Sequence, residues 1–341
     1  MPFIAMNTNF NAPVATQVPA EGNPNSRICL VGEAPGKNEL KAMRPFVGDA
    51  GRVLDHCLHQ AGIIRAQCYV TNFIKEYVDD ITHYVTKGGL LTSRGREWQL
   101  TLAEELRNVK AQIVIPLGKP AGIALAGLKS IIERRGYLTT ALDLFDQRKV
   151  LPTLHPASCL YGGNYINKYY ITHDLQKAAK MVERGVFDYD PCEFKFPATV
   201  GEVHSAVQEM REAGIFAFDI EVSNYEVSCI SLACRPDLAY SILLCDPNLW
   251  TPAEEVSIWE MLASILEDPS ITKVGQNLIF DTHFLLTHQH VFVRGPIRDT
   301  MIGHHIMYPD FLKGLGFLGS IYCNRPYWKD MNDNDDIKKE G

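Results

Sequence analysis

The sequence predicts two consecutive α/β units, and three observations carry that prediction. Its 341 residues suffice for two separate hydrophobic cores. Between residues 27 and 186 short apolar strands alternate with amphipathic helical stretches, the rhythm of a parallel sheet covered by helices. Near residue 215 an apolar strand carrying two acids, "IFAFDIEV", opens a second series of strands and helices. The boundaries read as a flexible arm over 1–26, a first unit over 27–186, a polar linker over 187–197 with Asp188, Asp190 and Pro191, and a second unit over 198–341.

In the first unit "RICLVG", "CYVTN", "QIVIPLG" and "KVLPTLH" are the strand candidates. The intervening "DAGRVLDHCLHQAG" places Val53, Leu54, Cys57, Leu58 and Ala61 on one helical face, with Asp49 as its N-cap and Gly62 as its C-cap. Parallel sheets gather their ligand groups outside the carboxyl ends of the strands. Those ends carry Glu33, Asn72, Gly118 and His155: an acid, an amide, a glycine and an imidazole bound for one cleft. The turn "GEAPG" after the first strand can present backbone N–H groups to a ligand.

Composition narrows the function classes. With 46% hydrophobic and 21% charged residues the chain is an ordinary globular one, and no apolar run is long enough to cross a bilayer. The arm lacks the layout of a signal peptide, so a cytoplasmic protein without a membrane partner is expected. Nine cysteines are scattered without a C-x-x-C pair. A net charge of −7 argues against indiscriminate coating of nucleic acid, so any DNA contact must be local, as at Arg134-Arg135.

In the second unit "TVGEVHSAVQEMREAG" reads as a helix leading into "IFAFDIEV". Residues two apart on a strand share a face, so Asp219 and Glu221 project together and want a cation. "SCISLACR" and "AYSILLC" follow as strands. In "ITKVGQNLIFDTHFLL" the spacing sets Asn277 and Asp281 one helical turn apart. His283, His288, His290, His304 and His305 lack a consistent zinc-ligand spacing.

"GEAPGKNE", "RPFVGDAG", "TNFIK", "LG", "RRG" and "PTLHP" stand in an order and spacing that resembles the uracil-DNA glycosylase superfamily, in its family-4 branch, over residues 27–180. The resemblance implies a catalytic set of Glu33, Glu39, Asn72 and His155, and a uracil pocket of Gly32, Phe46, Asn72 and His155. Those residue types suit the chemistry. A base flipped from its stack needs a flat π surface, which Phe46 offers, and an amide such as Asn72 can pair with uracil while mismatching cytosine. A donor at uracil O2, the role of His155, stabilises the departing anion. Ser158, Leu160, Tyr161 and Arg135 would touch DNA, with Leu160 and Tyr161 as a wedge. Two departures stand out. Ala34 occupies the place of a water-activating aspartate in other branches, so Glu33, Glu39 or the backbone must position water. The branch's four-cysteine iron–sulfur cluster is expected to be absent, because residues 1–27 hold no cysteine and Glu76 follows Lys75 where a cysteine is usual.

"FDIE", "GQN...D" and "RDTMIGHHIMYP" resemble the 3′→5′ exonuclease domain of family A DNA polymerases, an RNase H-like fold, over residues 198–330. The resemblance implies Asp219, Glu221 and Asp281 as ligands of Mg²⁺ or Mn²⁺, with Asp299 as structural support. The family's fourth carboxylate follows a tyrosine by four. Tyr327 and Asp330 are three apart, so that ligand is expected beyond Gly341. Together the halves resemble the amino-terminal part of a phage replicative polymerase, which implies excision of uracil from single- or double-stranded DNA beside a polymerase body or other replication proteins. Two alternatives are a non-catalytic uracil sensor with a DNA-docking platform, and a scaffold with both sites silent.

Overall fold

The computed structural model describes residues 17–160 and 162–328. The chain divides into two compact units. One contains the residues up to Asp188 and again from Gly319, and the other is Tyr189–Leu318.

In the first unit β1 (Ile28–Gly32) leads through α1 (Lys37–Ala42) and α2 (Asp49–Gln60) to β2 (Cys68–Asn72). Next come α3 (Ser93–Arg107), β3 (Ile113–Pro116), α4 (Lys119–Ala126) and α5 (Ile131–Arg134), the short strands β4 (Thr139–Thr140) and β5 (Lys149–Val150), and α6 (Asn167–Arg184). The sheet order is β2-β1-β3-β5-β4, parallel except where β4 meets β5. Every residue of β1, β2 and β3 is buried, so both sheet faces are covered and the strands read as apolar runs. Cys29 and Val31 of β1 join the core under α3 and α4 with Leu102, Leu106 and Ala124. By alternation Leu30 faces the other way.

Three local expectations change. Asp49 is the first residue of α2 and pairs with Arg52, while Gly48 takes the cap position because its N–H is held by Glu39. Residues 17–26, read above as arm, belong to the body: Val18 is buried, and Glu21 and Val70 exchange backbone hydrogen bonds of 2.8 Å. The stretch from Gly319 returns to this unit, where Ser320 Oγ accepts a 3.0 Å hydrogen bond from Arg135 and Lys177 donates to the Cys323 carbonyl at 2.8 Å.

The second unit begins with β6 (Glu193–Lys195) and α7 (Val200–Ala213), which is capped by the Thr199 hydroxyl and ended by left-handed Gly214. β7 (Ile215–Ser223), β8 (Glu226–Arg235) and β9 (Leu238–Leu243) form an antiparallel meander. α8 (Pro252–Leu266), β10 (Thr272–Gly275), α9 (Ile279–His288), β11 (Ile297–Asp299) and α10 (Thr300–Met307) follow, and α11 (Leu315–Tyr322) spans the division between the units. The sheet order is β11-β10-β7-β8-β9-β6, with β10 parallel to both β7 and β11. Phe216, Phe218 and Ile220 of β7 pack under α7 and α8, so the intervening Ala217, Asp219 and Glu221 occupy the opposite, more open face.

Candidate active site

The strand ends of the first unit converge as their positions in a parallel sheet require. Gly32 and Asn72 are register partners at the ends of β1 and β2. Asn72 is buried, and the Lys75 ammonium donates to its carbonyl at 2.8 Å and pairs with Glu105. The lysine of "TNFIK" is thus a buried clamp on the strand end. Desolvation pulls its pKa down, and Glu105 works against that pull.

Gly32 separates Asn72 from Phe46 by almost nothing. A Cβ there would lie 2.3 Å from Asn72 Oδ1 and 2.5 Å from Phe46 Cζ. Amide and ring therefore close over bare backbone, which only glycine permits. Phe46 is buried and sits in the left-handed region at φ 53°, where a non-glycine residue is strained. Two side chains hold it there. Glu39 accepts from Val47 N–H at 2.9 Å and Gly48 N–H at 2.7 Å through one oxygen, and from Gly36 N–H at 3.1 Å through the other. Arg65 donates to the Phe46 carbonyl at 3.1 Å and the Pro45 carbonyl at 2.7 Å, and is itself held by Asp55 and Glu21. Arg65 was missed in the sequence because its partners are carbonyls 19 and 20 residues away, which no motif spacing encodes.

His155 faces Phe46 with ring centres 6.0 Å apart. Its Nδ1 accepts the Ala157 N–H at 3.2 Å, so a neutral ring carries its proton on Nε2. Burial lowers its pKa to about 4 from 6.5, so the ring is neutral at physiological pH. Gly118, at φ +92° and with its missing Cβ position 2.8 Å from His155 Cβ, brings the end of β3 against the imidazole. Half-buried Glu33 completes the set, its carboxyl pKa raised by desolvation.

Other expected residues fare differently. Arg135 is a correction: it is buried, pairs with Asp174 through Nε at 2.8 Å and donates to Ser320, so its guanidinium cannot meet DNA. The motif "RRG" marks a core ion pair, and nothing in the local sequence distinguishes that from a surface patch. Ser158 and Leu160 are half-buried in the loop after His155, and Tyr161 lies outside the described residues. Glu76 is engaged by Tyr84 at 2.7 Å, Arg94 at 2.8 Å and Trp98 at 3.1 Å. Burial opposes its ionisation, yet those donors hold its pKa below the usual carboxylate value. A larger cavity of about 750 Å³ opens at the amino-terminal ends of β1 and β2, beside Arg27, Ile28, Gln67 and Cys68, away from these groups.

In the second unit Asp219, Glu221 and Asp281 influence one another. Burial, then Asp281 and Glu221, push the Asp219 carboxyl up to about 6. Buried Asp281 accepts the Ile220 N–H at 3.1 Å, and its pKa is raised chiefly by desolvation. The donor set is one of hard oxygens, suited in chemistry to Mg²⁺ or Mn²⁺. In spacing it is not a closed cage: among the described residues no three His, Cys, Asp or Glu side chains stand close enough to hold one ion. Asn277 does not share a helical face with Asp281, because it precedes α9 in a left-handed conformation at φ 61°. Asp299 accepts backbone N–H groups of Asn277, Leu278, Met301 and Ile302 and so joins the starts of α9 and α10. Tyr327 packs edge-on against Tyr137 at 5.3 Å, and Asp330 lies outside the described residues.

An aromatic ring, a strand-end amide and a neutral imidazole thus come together on an α/β scaffold, a flat apolar face beside hydrogen-bonding groups. Residues 19–178 match the uracil DNA glycosylase superfamily, and residues 196–335 match a 3′–5′ exonuclease family. The chain is 30% identical over 172 residues to a type-4 uracil-DNA glycosylase of Thermotoga maritima, covering 49% of this chain and 83% of that protein. To the type-4 uracil-DNA glycosylase of Sulfurisphaera tokodaii it is 29% identical over 189 residues, covering 50% and 79%. Among solved structures it is similar to RNase D of Trypanosoma brucei, at 19% identity and a TM-score of 0.27, over 32% of this chain and 39% of that one. The chain belongs to the uracil-DNA glycosylase superfamily, and its second half is a 3′–5′ exonuclease domain.

Proposed function

We propose that the first unit excises uracil from DNA by hydrolysing the C1′–N1 bond. The observation that carries this reading is the closure of Phe46 and Asn72 over Gly32 with the neutral His155 ring beside them. Phe46 stacks beneath the extruded base, and the Asn72 amide pairs with the uracil edge. His155 Nε2–H donates to O2 as the C1′–N1 electrons move onto the base. Both Glu39 oxygens are occupied by backbone donors, which leaves Glu33 as the carboxylate to orient the attacking water and take its proton. Glu39 is then a positioning residue. The test is a labelled uracil oligonucleotide incubated with excess protein and then treated with alkali: strand cleavage supports excision, and binding without an abasic site favours the sensor reading. Asn72→Asp should weaken discrimination against cytosine.

This reading includes no iron–sulfur cluster, supported by Glu76 being engaged by Tyr84, Arg94 and Trp98 at the position where the branch carries a cysteine. Stoichiometric iron with absorbance near 400 nm would overturn it.

For the second unit the reading is a 3′→5′ nuclease in which Asp219 and Glu221 bind Mg²⁺ or Mn²⁺ weakly, since the carboxylates match the ion's chemistry and not its spacing. A bound ion would activate water for phosphodiester cleavage. Titration calorimetry with Mn²⁺ tests this, and submicromolar affinity would count against it. A role in DNA replication or repair, in a cytoplasm, is the setting these two activities suit.

A further inference from the structure

Beyond the pocket, the end of the loop after His155 and the first turn of α6 together carry an aromatic and basic cluster without a role in base recognition. Tyr165 and Tyr169 are 59% and 45% exposed, although large aromatic rings favour burial. Their centres lie 5.9 Å apart with planes at 79°. Lys168 Nζ stands 4.1 Å and 5.5 Å from the two ring centres and donates to the Tyr165 hydroxyl at 2.7 Å. The same lysine lines a groove of about 380 Å³ with Asp49, Arg52, Val53, His56 and Leu160. Its walls are the segments that leave the pocket: α2, just past Phe46, and Leu160, just past His155.

We propose that Tyr165, Lys168 and Tyr169, with the adjoining groove, bind the unpaired DNA strand flanking the uracil. The position beside the pocket rests on the glycosylase reading, whereas the binding chemistry does not. Exposed rings can stack on bases only where the base faces are bare, which a duplex denies and a single strand offers. Lys168 supplies a cation for the phosphate between stacked bases. Arg52 adds a second, partly balanced by Asp49, with which it pairs. On a chain of net charge −7, such a local cation is where a polyanion would settle.

The test uses the full chain and fluorescence anisotropy with a thymine-only single strand and its blunt duplex, alongside excision of uracil from matching oligonucleotides. Tyr165→Ala with Tyr169→Ala should weaken single-strand binding about tenfold or more, and duplex binding less. Tyr165→Phe with Tyr169→Phe should restore it, since the rings remain. Lys168→Ala should reduce the slope of log affinity against log salt by about 0.7. Equal losses on both DNA forms, no loss, or failure of the phenylalanine pair to restore binding would overturn the proposal. Tyrosine-dependent binding without uracil excision would strike the glycosylase reading alone, and excision without tyrosine dependence would strike this one alone.

Discussion

A methyl group added at Gly32 would meet the Asn72 amide oxygen at 2.3 Å and the Phe46 ring at 2.5 Å, so one of them must move. Gly32→Ala should therefore lower single-turnover excision by about 100-fold, the scale of a 1 Å misplacement, while circular dichroism stays native. Arg65 acts one step further out, through the Pro45 and Phe46 carbonyls. Arg65→Ala removes donors from a strained turn and should cost about 1–3 kcal/mol of stability. On the proposed reading, in which the base stacks on Phe46, Arg65→Ala should also raise KM, with partial recovery in Arg65→Lys. A rise in KM accompanying the stability loss would mark positioning; a fall in Tm without any KM change would reduce Arg65 to a structural brace.

At the scale of elements, the loop after β5 fixes the protonation of His155. Its pKa is depressed from 6.5 to about 4, so the unfolded chain binds the proton more readily over that interval. The stability this neutral ring supports is complete above 6.5 and is lost as pH falls toward about 4. NMR titration should show the ring neutral down to about pH 4, and the excision rate should have no inflection at the ordinary histidine value. The strands that bear the site were legible because buried parallel strands are continuous apolar runs ended by turn residues. β4 was not, since a two-residue strand carries no periodicity, although its partner β5 opens the expected strand "KVLPTLH". Asn277 was misread because a helix start is written in dihedral angles as well as spacing, and its φ of 61° breaks the turn that sequence distance alone suggests. Arg135 failed for another reason: its partners Asp174 and Ser320 are 39 and 185 residues away, and only the fold brings them together.

For the whole molecule, the return of the chain at Gly319 matters most. Arg135 Nη1 donates to Ser320, Lys177 Nζ donates to the Ser320 and Cys323 carbonyls, and the Tyr137 ring meets Tyr327 and Trp328. A chain stopped at Leu318 loses all of these, including the Ser320 hydroxyl that accepts from the buried Arg135 guanidinium. Its first unit should be about 2–4 kcal/mol less stable in urea, read from the midpoint at constant slope. An unchanged midpoint would show that the returning segment is ornamental. The same connectivity sets an order of events at the ribosome. Asp188 and Gly319 are separated by the whole of the second unit. At roughly 5–20 residues per second, the first unit waits on the order of ten seconds for its last piece. During that interval the nascent chain carries an unfinished core, and arrested chains ending just past Asp188 should be cut by protease faster than those extended beyond Tyr327.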